Sequence, residues 1–359
     1  MDRIQIKGYK SIQDQTITFG PINLLIGANG SGKSNLLSFF TFIRNLYSRN
    51  LQAFVSLNGG MDAFLFRGRK VTEQMSAKLD FANSSYAFAV KAGQDKFVIT
   101  EEQISDAQPM PQPGNMRDIA SFAAESNLQF DTTPQAEYLR NSLHEMQKYH
   151  FHDTGDKSPF TNVSNIETGI HYLYPRGENL AAFLYGIRKD EPKYYARIIA
   201  IIQTVAPYFR DFLLKPDKEG NLTLLWEDKF GVVYNVHDLS DGTIRFIALA
   251  ALFLQPNLPQ TIIIDEPELG LHPSAIATLA GMIESASKRG CQIIAATQST
   301  DLISYFQPED ILTADQNNGA SIYRRLSSEG LEHWLEEYSL GDLWRRNIIS
   351  GGQPQFLRS

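Results

Sequence analysis

The sequence has a single cysteine, Cys291, so no intramolecular disulfide can form. It opens the apolar run Gln292-Ile-Ile-Ala-Ala, and is expected to be a buried structural thiol. No apolar run reaches membrane-spanning length: Ile244 to Leu254 falls well short of the roughly 20 residues a membrane helix needs. The start Met-Asp-Arg-Ile also lacks the basic-then-apolar pattern of a signal peptide. A soluble, cytoplasmic protein with no membrane partner is expected. An excess of basic charge is missing too. Lys and Arg number 33 against 40 Asp and Glu, a formal net charge of −7, which speaks against nonspecific coating of nucleic acid, because that affinity comes from neutralising phosphates. A local basic groove stays open; the small cluster Arg67, Arg69 and Lys70 is of the kind usually found on a solvated turn. There is no internal repeat, and 43% of the 359 residues are apolar, enough for one large core or two modest ones.

What is present begins with short strands at 2–7, 15–19 and 22–26, the last running into a glycine-rich loop and the helical stretch Ser34 to Tyr47. Alternating patterns over Met75–Phe81, Tyr86–Lys91 and Lys96–Thr100 predict an antiparallel subsheet. The breaker-rich stretch Ala107 to Asn115 then interrupts, and Thr133-Pro134 reads as an N-cap followed by proline at the first helical position. Helices are expected over Pro134–Lys148, Asn179–Ile187 and Pro192–Leu214. Strands resume at Asn221–Glu227 and Val232–Val236. A helix then runs to Leu254, and the apolar strands Thr261–Ile264 and Gln292–Ala296 flank a helix over Ser274–Ser287. Such short β-branched runs suit a parallel sheet buried on both faces.

Gly27-Ala28-Asn29-Gly30-Ser31-Gly32-Lys33-Ser34 has the eight-position pattern of a phosphate loop, in its proper place between a strand and a helix. Glycines let backbone N–H groups wrap phosphates, and the helix N-terminus adds a favourable dipole. Lys33 is expected to reach the β and γ phosphates, and the Ser34 hydroxyl to hold Mg²⁺. Asp265 ends an apolar strand, where a carboxylate can complete the Mg²⁺ shell. Glu266 follows at the place suited to orienting or deprotonating an attacking water.

Leu239-Ser240-Asp241-Gly242 stands 25 positions before these acids (265 − 240). Ser-Asp-Gly by itself marks a turn or a helix cap. Its place in the order of phosphate loop, signature, acidic strand and a polar residue after a further strand resembles ABC-type ATPases. More closely, Gly27 to Asn35, Leu239-Ser-Asp-Gly-Thr-Ile-Arg245, Ile264-Asp-Glu-Pro-Glu-Leu-Gly-Leu-His-Pro273, Thr297-Gln-Ser-Thr300 and Tyr338-Ser-Leu-Gly-Asp-Leu-Trp344 with Gly351-Gly352 resemble the bacterial RecF-like and OLD-like AAA ATPases. The stand-alone members of that group are often associated with anti-phage defence.

That resemblance implies an α/β fold: a P-loop ABC-type ATPase head with an antiparallel subsheet and an inserted, mostly helical lobe. The segments expected are 1–102, 103–222 (the insert), 223–325 and 326–359 (a helical tail). ATP and Mg²⁺ are the implied cofactors. ATP would bind Gly27, Asn29, Gly30, Ser31, Gly32, Lys33, Ser34 and Asn35 of one copy and Ser240, Asp241 and Gly242 of another. Ser34 and Asp265 would hold the metal, and Glu266 and Gln298 would be catalytic. The implied assembly is a two-fold dimer with ATP in its interface, or a higher oligomer built from it. No effector chemistry is recognisable, and only some 35 residues follow Arg324 (359 − 324), too few for the nuclease domain fused to OLD proteins. A separately encoded effector, a nuclease, is therefore expected, with a RecF-like DNA-binding repair factor as the alternative.

The chain departs from the commoner family pattern in three places. Asp241 replaces the first glycine of Leu-Ser-Gly-Gly, with helix capping as its expected role. Gln298 stands where many ABC ATPases have a histidine; an amide can hydrogen-bond phosphate or water but cannot carry a proton at neutral pH, which favours slow turnover. The loop glutamine that senses γ-phosphate is not identifiable, Gln103 being a candidate or merely solvated. His150-Phe-His152-Asp153 admits a metal-ligand reading or a loop or partner contact. Lys7 and Lys10 lie beside the first strand, near the nucleotide or in solvent. Trp334, Tyr338 and Trp344 are expected to pack on the core, or to dock a partner.

Overall fold

The computed structural model describes residues 1–106, 116–155 and 158–351. The breaker-rich stretch Ala107 to Asn115 and Gly352 lie outside them. The chain forms two compact units, one from Met1–Met146 with the chain from Gln307 onward, the other Gln147–Phe306.

In the first unit, six strands form an antiparallel sheet in the order Ile12–Thr18, Arg3–Tyr9, Gln74–Phe81, Ser84–Ala92, Phe97–Asp106, Met116–Ala120. Their period-2 patterning puts Ile4, Ile6, Met75, Leu79 and Phe88 inward. The strand Ile22–Ile26, buried throughout, pairs in parallel with Ile311–Asn317, which turns back into the antiparallel strand Ala320–Arg325. The helix Lys33–Tyr47 directs Leu36, Phe39, Phe42, Ile43 and Leu46 to the core at helical spacing. Phe42 lies 5.7 Å from the rings of both Tyr9 and Phe64 and 6.2 Å from Phe88.

In the second unit, Thr261–Asp265 and Gln292–Ala296 run parallel in register, Asp265 beside Ala296. Three of the four residues before Asp265 are isoleucines buried on both faces. The helix Asp241–Leu254 is buried from Ile244 to its end, as a helix apolar on every face but for Arg245 is expected to be. Helices Leu180–Asp190, Pro192–Val205 and Pro273–Lys288 and a three-stranded antiparallel sheet, Phe209–Phe212, Leu225–Asp228 and Val233–Asn235, complete it.

Local departures from the sequence expectation have local causes. The helix expected over 192–214 ends at Val205, because Pro207 drives Ala206 out of the helical region (φ −118°, ψ 79°); Phe209–Phe212 is a strand. The helix from Pro134 ends at His144, and Met146–Tyr149 is extended. The boundary between the compact units falls inside the segment 103–222. Phe97–Asp106 pairs with Met116–Ala120 and the helix Pro134–His144 packs on Ser84–Ala92, which binds 116–144 to the subsheet. Trp334 stays exposed, whereas Trp344 is half-buried and donates from Nε1 to Gly351 O (2.8 Å). Cys291 is buried. No helix among the described residues is long and apolar enough to cross a membrane.

Removing the Phe42 ring should leave a cavity that its aromatic neighbours cannot fill. Phe42→Ala is expected to lose about 3–5 kcal/mol of stability, seen as a lower urea midpoint at unchanged slope.

Candidate functional site

The phosphate loop follows the buried strand Ile22–Ile26. The helix after it starts at Lys33 on Gly32, whose φ of 110° and lack of a side chain leave the first N–H groups with no side-chain cap. The hairpin Ile311–Arg325 holds the loop through its carbonyls. Gln316 Nε2 donates to Gly30 O (2.6 Å), Ser321 Oγ to Ser31 O (2.8 Å) and Tyr323 Oη to Gly32 O (2.8 Å). A Cβ on Gly32 would lie 2.0 Å from Ser321 Oγ, so glycine is required by space as well as by φ. Lys33 Nζ donates to Gly27 O (2.6 Å) and Ala28 O (3.1 Å), folding the ammonium onto the loop. Asn29, Gly30 and Ser31 line a recess with Ala314 and Gln316. Ser34 is exposed on the first turn, and Asn35 Nδ2 donates to Ser11 Oγ (2.7 Å). The buried Ser31 Oγ has no hydrogen-bond partner among the described residues. An orphaned hydroxyl, uncapped N–H groups and a loop-bound ammonium fit a phosphate ligand.

The acids lie in the second unit. Asp265 closes its strand, and burial raises its carboxyl pKa above the ordinary value, opposed by Lys148, His152 and His150 and reinforced by Glu266. A carboxylate is a hard-oxygen ligand of the kind that suits Mg²⁺. Glu266 takes φ +42°, a strained conformation for a long side chain. It is held there by its N–H donating to Ala296 O (2.7 Å) and by Gln298 Nε2 donating to its Oε1. The two residues expected to be catalytic are thus in contact.

Ser240 caps the signature helix, its Oγ accepting from Thr243 N (3.2 Å). Capping was expected of Asp241, which instead occupies the first helical turn, where a carboxylate favours the helix dipole. Both are exposed. Gly242 lies against the loop after the acids: a Cβ there would come 2.5 Å from Gly270 O. Three residues on, the buried Arg245 guanidinium donates to Leu269 O (2.6 Å), His152 O (2.9 Å) and Phe151 O (3.0 Å). His152 Nε2 in turn shares a hydrogen bond with Asp265 O (2.9 Å). The signature helix, the acid loop and the 151–152 segment are therefore one bonded unit.

The remaining candidates have local partners. The rings of His150 and His152 lie 4.4 Å apart and Asp153 pairs with Arg176. Among the described residues, no group of three His, Cys, Asp or Glu is placed to hold a metal; the histidine segment contacts the acid loop through His152. Gln103 Nε2 donates to Asp118 Oδ1 on the next strand (2.7 Å). Lys7 pairs with Asp14, Lys10 donates to Ser38 Oγ, Arg67 to Asn318 O, and Arg69 pairs with Asp62. The sequence reading missed Arg245, Glu268 and the hairpin side chains Gln316, Ser321 and Tyr323. Arg245 and Glu268 stood inside quoted motifs, whereas nothing near the hairpin in sequence points to a loop about 290 residues earlier.

Comparison with known proteins agrees with this geometry. The family "AAA domain, putative AbiEii toxin, Type IV TA system" matches residues 22–304. The Old nuclease of Escherichia phage P2 is 24% identical over 245 residues, 64% of this chain and 40% of that protein. The DNA replication and repair protein RecF of Magnetococcus marinus is 31% identical over 93 residues, 25% of this chain and 24% of that one. The chain thus spans less than half the length of either relative. A Smc head solved bound to the C-winged helix domain of ScpA has the same fold, with TM-score 0.61 at 16% identity, covering 92% of this chain and 99% of that one. The Pyrococcus furiosus Smc head with an extended coiled coil gives 0.53 at 15%, covering 94% and 98%. With its phosphate loop, acidic strand and signature helix built as described, the chain has the fold of an ABC-type ATPase head, is similar in sequence to the Old nuclease and RecF, and belongs to this AAA family.

Proposed function

We propose that this protein is a cytoplasmic, ATP- and Mg²⁺-dependent switch that closes as a homodimer, hydrolyses ATP slowly and controls a separately encoded effector, a nuclease, in defence against phage. The observation that carries it is the strained Glu266 with its carboxylate on the Gln298 amide, a pairing that a merely structural strand end does not need. In this reading Lys33 and the loop N–H groups bind the phosphates, and Ser34 and Asp265 hold the metal. Magnesium, when bound, supplies neutralisation of phosphate charge. Glu266 takes the proton of the attacking water as its oxygen bonds to the γ phosphorus and the bond to the bridging oxygen breaks. Gln298 orients that water without carrying a proton, which limits the rate. The exposed Ser240 and the signature helix N-terminus close over the γ-phosphate held by a second copy.

The nuclease relative supports a link between this ATPase type and nucleic-acid cleavage. The RecF relative favours a second reading, a dimer that binds DNA directly; salt-dependent DNA binding by the ATP-loaded protein would mark it. Degradation of nucleic acid by the purified chain alone would sink the separate-effector reading.

Size-exclusion chromatography tests the shared site. Glu266→Gln is expected to retain ATP and elute as a dimer, and Lys33→Ala to lose ATP binding and stay monomeric. A Gln variant that remains a monomer at saturating ATP refutes the mechanism. Chelating Mg²⁺ with EDTA should abolish phosphate release by the wild-type protein and return as activity when Mg²⁺ is added back in excess.

A further inference from the structure

One acid of the second unit has no part in the chemistry above. Glu268 is 7% exposed. Its Oε1 accepts from Thr297 Oγ1 (2.6 Å) and from the Gln298 backbone N–H (3.3 Å), while Oε2 is buried with no partner among the described residues. Thr297 is itself fully buried, and its Oγ1 accepts from Ser299 N (3.0 Å). Ser299 Oγ caps the short helix Thr300–Ile303 by accepting from Leu302 N (3.1 Å). The Thr297 hydroxyl, the Gln298 N–H and, through Thr297, the Ser299 N–H thus lead back to one carboxyl of the acid loop.

Burying a carboxyl with one oxygen unpaired is unfavourable, and a hydrophobic residue at 268 would pack at lower cost. What the carboxyl does instead is fix a turn whose functional side chain is exposed. Gln298 has its long side chain in solvent and would sample several rotamers if its backbone were loose. With the backbone held at N–H by Glu268, its amide is delivered to Glu266. We infer that Glu268 is a positioning residue: with Thr297 it locks the Thr297–Ser299 turn to the acid loop and so holds the Gln298 amide on Glu266. The kinetic part of this inference rests on the proposed hydrolysis; the positioning itself does not. Burial raises the Glu268 pKa above its ordinary value, and glutamine keeps the shape of the side chain and its Oε1 acceptor, which makes Glu268→Gln the conservative control.

The experiment compares wild type, Glu268→Ala, Glu268→Gln and Thr297→Val, the last removing one hydroxyl and guarding against a variant that fails to fold. ATP turnover should fall roughly tenfold to a hundredfold in kcat for the Ala and Val variants, with KM for ATP little changed, and Glu268→Gln should recover most of it. Amide hydrogen exchange over 296–303 should quicken about fivefold or more in the Ala and Val variants and not in Glu268→Gln, the rest of the chain keeping its protection. Unchanged exchange in Glu268→Ala overturns the positioning, whether or not the protein hydrolyses ATP. Equal loss of kcat in the Ala and Gln variants also overturns it, since the charge would then act directly. Absence of turnover in wild type would defeat the proposed function and leave the exchange result to decide this inference.

Discussion

Main chain brought closer to its surroundings than a Cβ allows is the constraint on which both the phosphate loop and the signature helix depend. At Gly32 the neighbour is Ser321, at Gly27 it is Ala314 O, and at Gly242 it is Gly270 O, each under 3 Å from where a Cβ would sit. Such proximity decides direction as well as distance. The carbonyls of Ser31 and Gly32 are taken by donors from the hairpin, and a trans peptide points its N–H opposite to its C=O. The N–H groups of Gly32 and Lys33 therefore face away from the hairpin, where an anion can meet them. A side chain at Gly32 would push the loop off its support and turn those dipoles.

The acid loop solves a different problem, because it must keep an unfavourable backbone. A left-handed glutamate costs on the order of 1–3 kcal/mol, and persists only if its surroundings over-determine it. Here the parallel ladder up to Asp265 and Ala296, the Glu266 N–H on Ala296 O, and the Glu268 bonds to the opposite turn fix the chain on both sides of Glu266. None depends on the side chain of Glu266 itself, so its carboxylate is left to face Gln298.

Legibility in the sequence followed the range of the interactions. The strand-loop-helix around Gly27 to Ser34, the acid-ended strand and the signature helix were legible as elements because each is set by residues adjacent in the chain. The helix Asp241–Leu254 and the strand Thr261–Asp265 were legible because burial on all sides demands unbroken apolar runs. The end of the helix at Val205 was written in Pro207 and was overlooked. The choice of Ser240 over Asp241 as cap turns on one residue of helix phase, which pattern alone does not resolve. The hairpin under the phosphate loop could not be read, since Ser321 and Tyr323 look like ordinary strand residues until the fold brings them to Ser31 and Gly32. Glu268 was hidden for another reason: within Asp265-Glu-Pro-Glu268 it reads as one more acid, and only its burial and its bond to Thr297 separate it from its neighbours.

Arg245 joins these features within the second unit. A buried guanidinium that satisfies three carbonyls on two segments cannot follow one without disturbing the other, because each lost bond leaves a buried polar group unpaired. Apart from Arg245 the signature helix is apolar and buried from Ile244 to Leu254, so it responds as a rigid body and not by bending. A shift of Leu269 and Gly270 next to the acids must therefore reach Gly242 and Arg245 together, and appear at the exposed Ser240 and Asp241. Under the proposed reading, the state of one ATP site is transmitted to the surface that closes over the other by packing alone, which requires no titrating group and accords with an amide at Gln298.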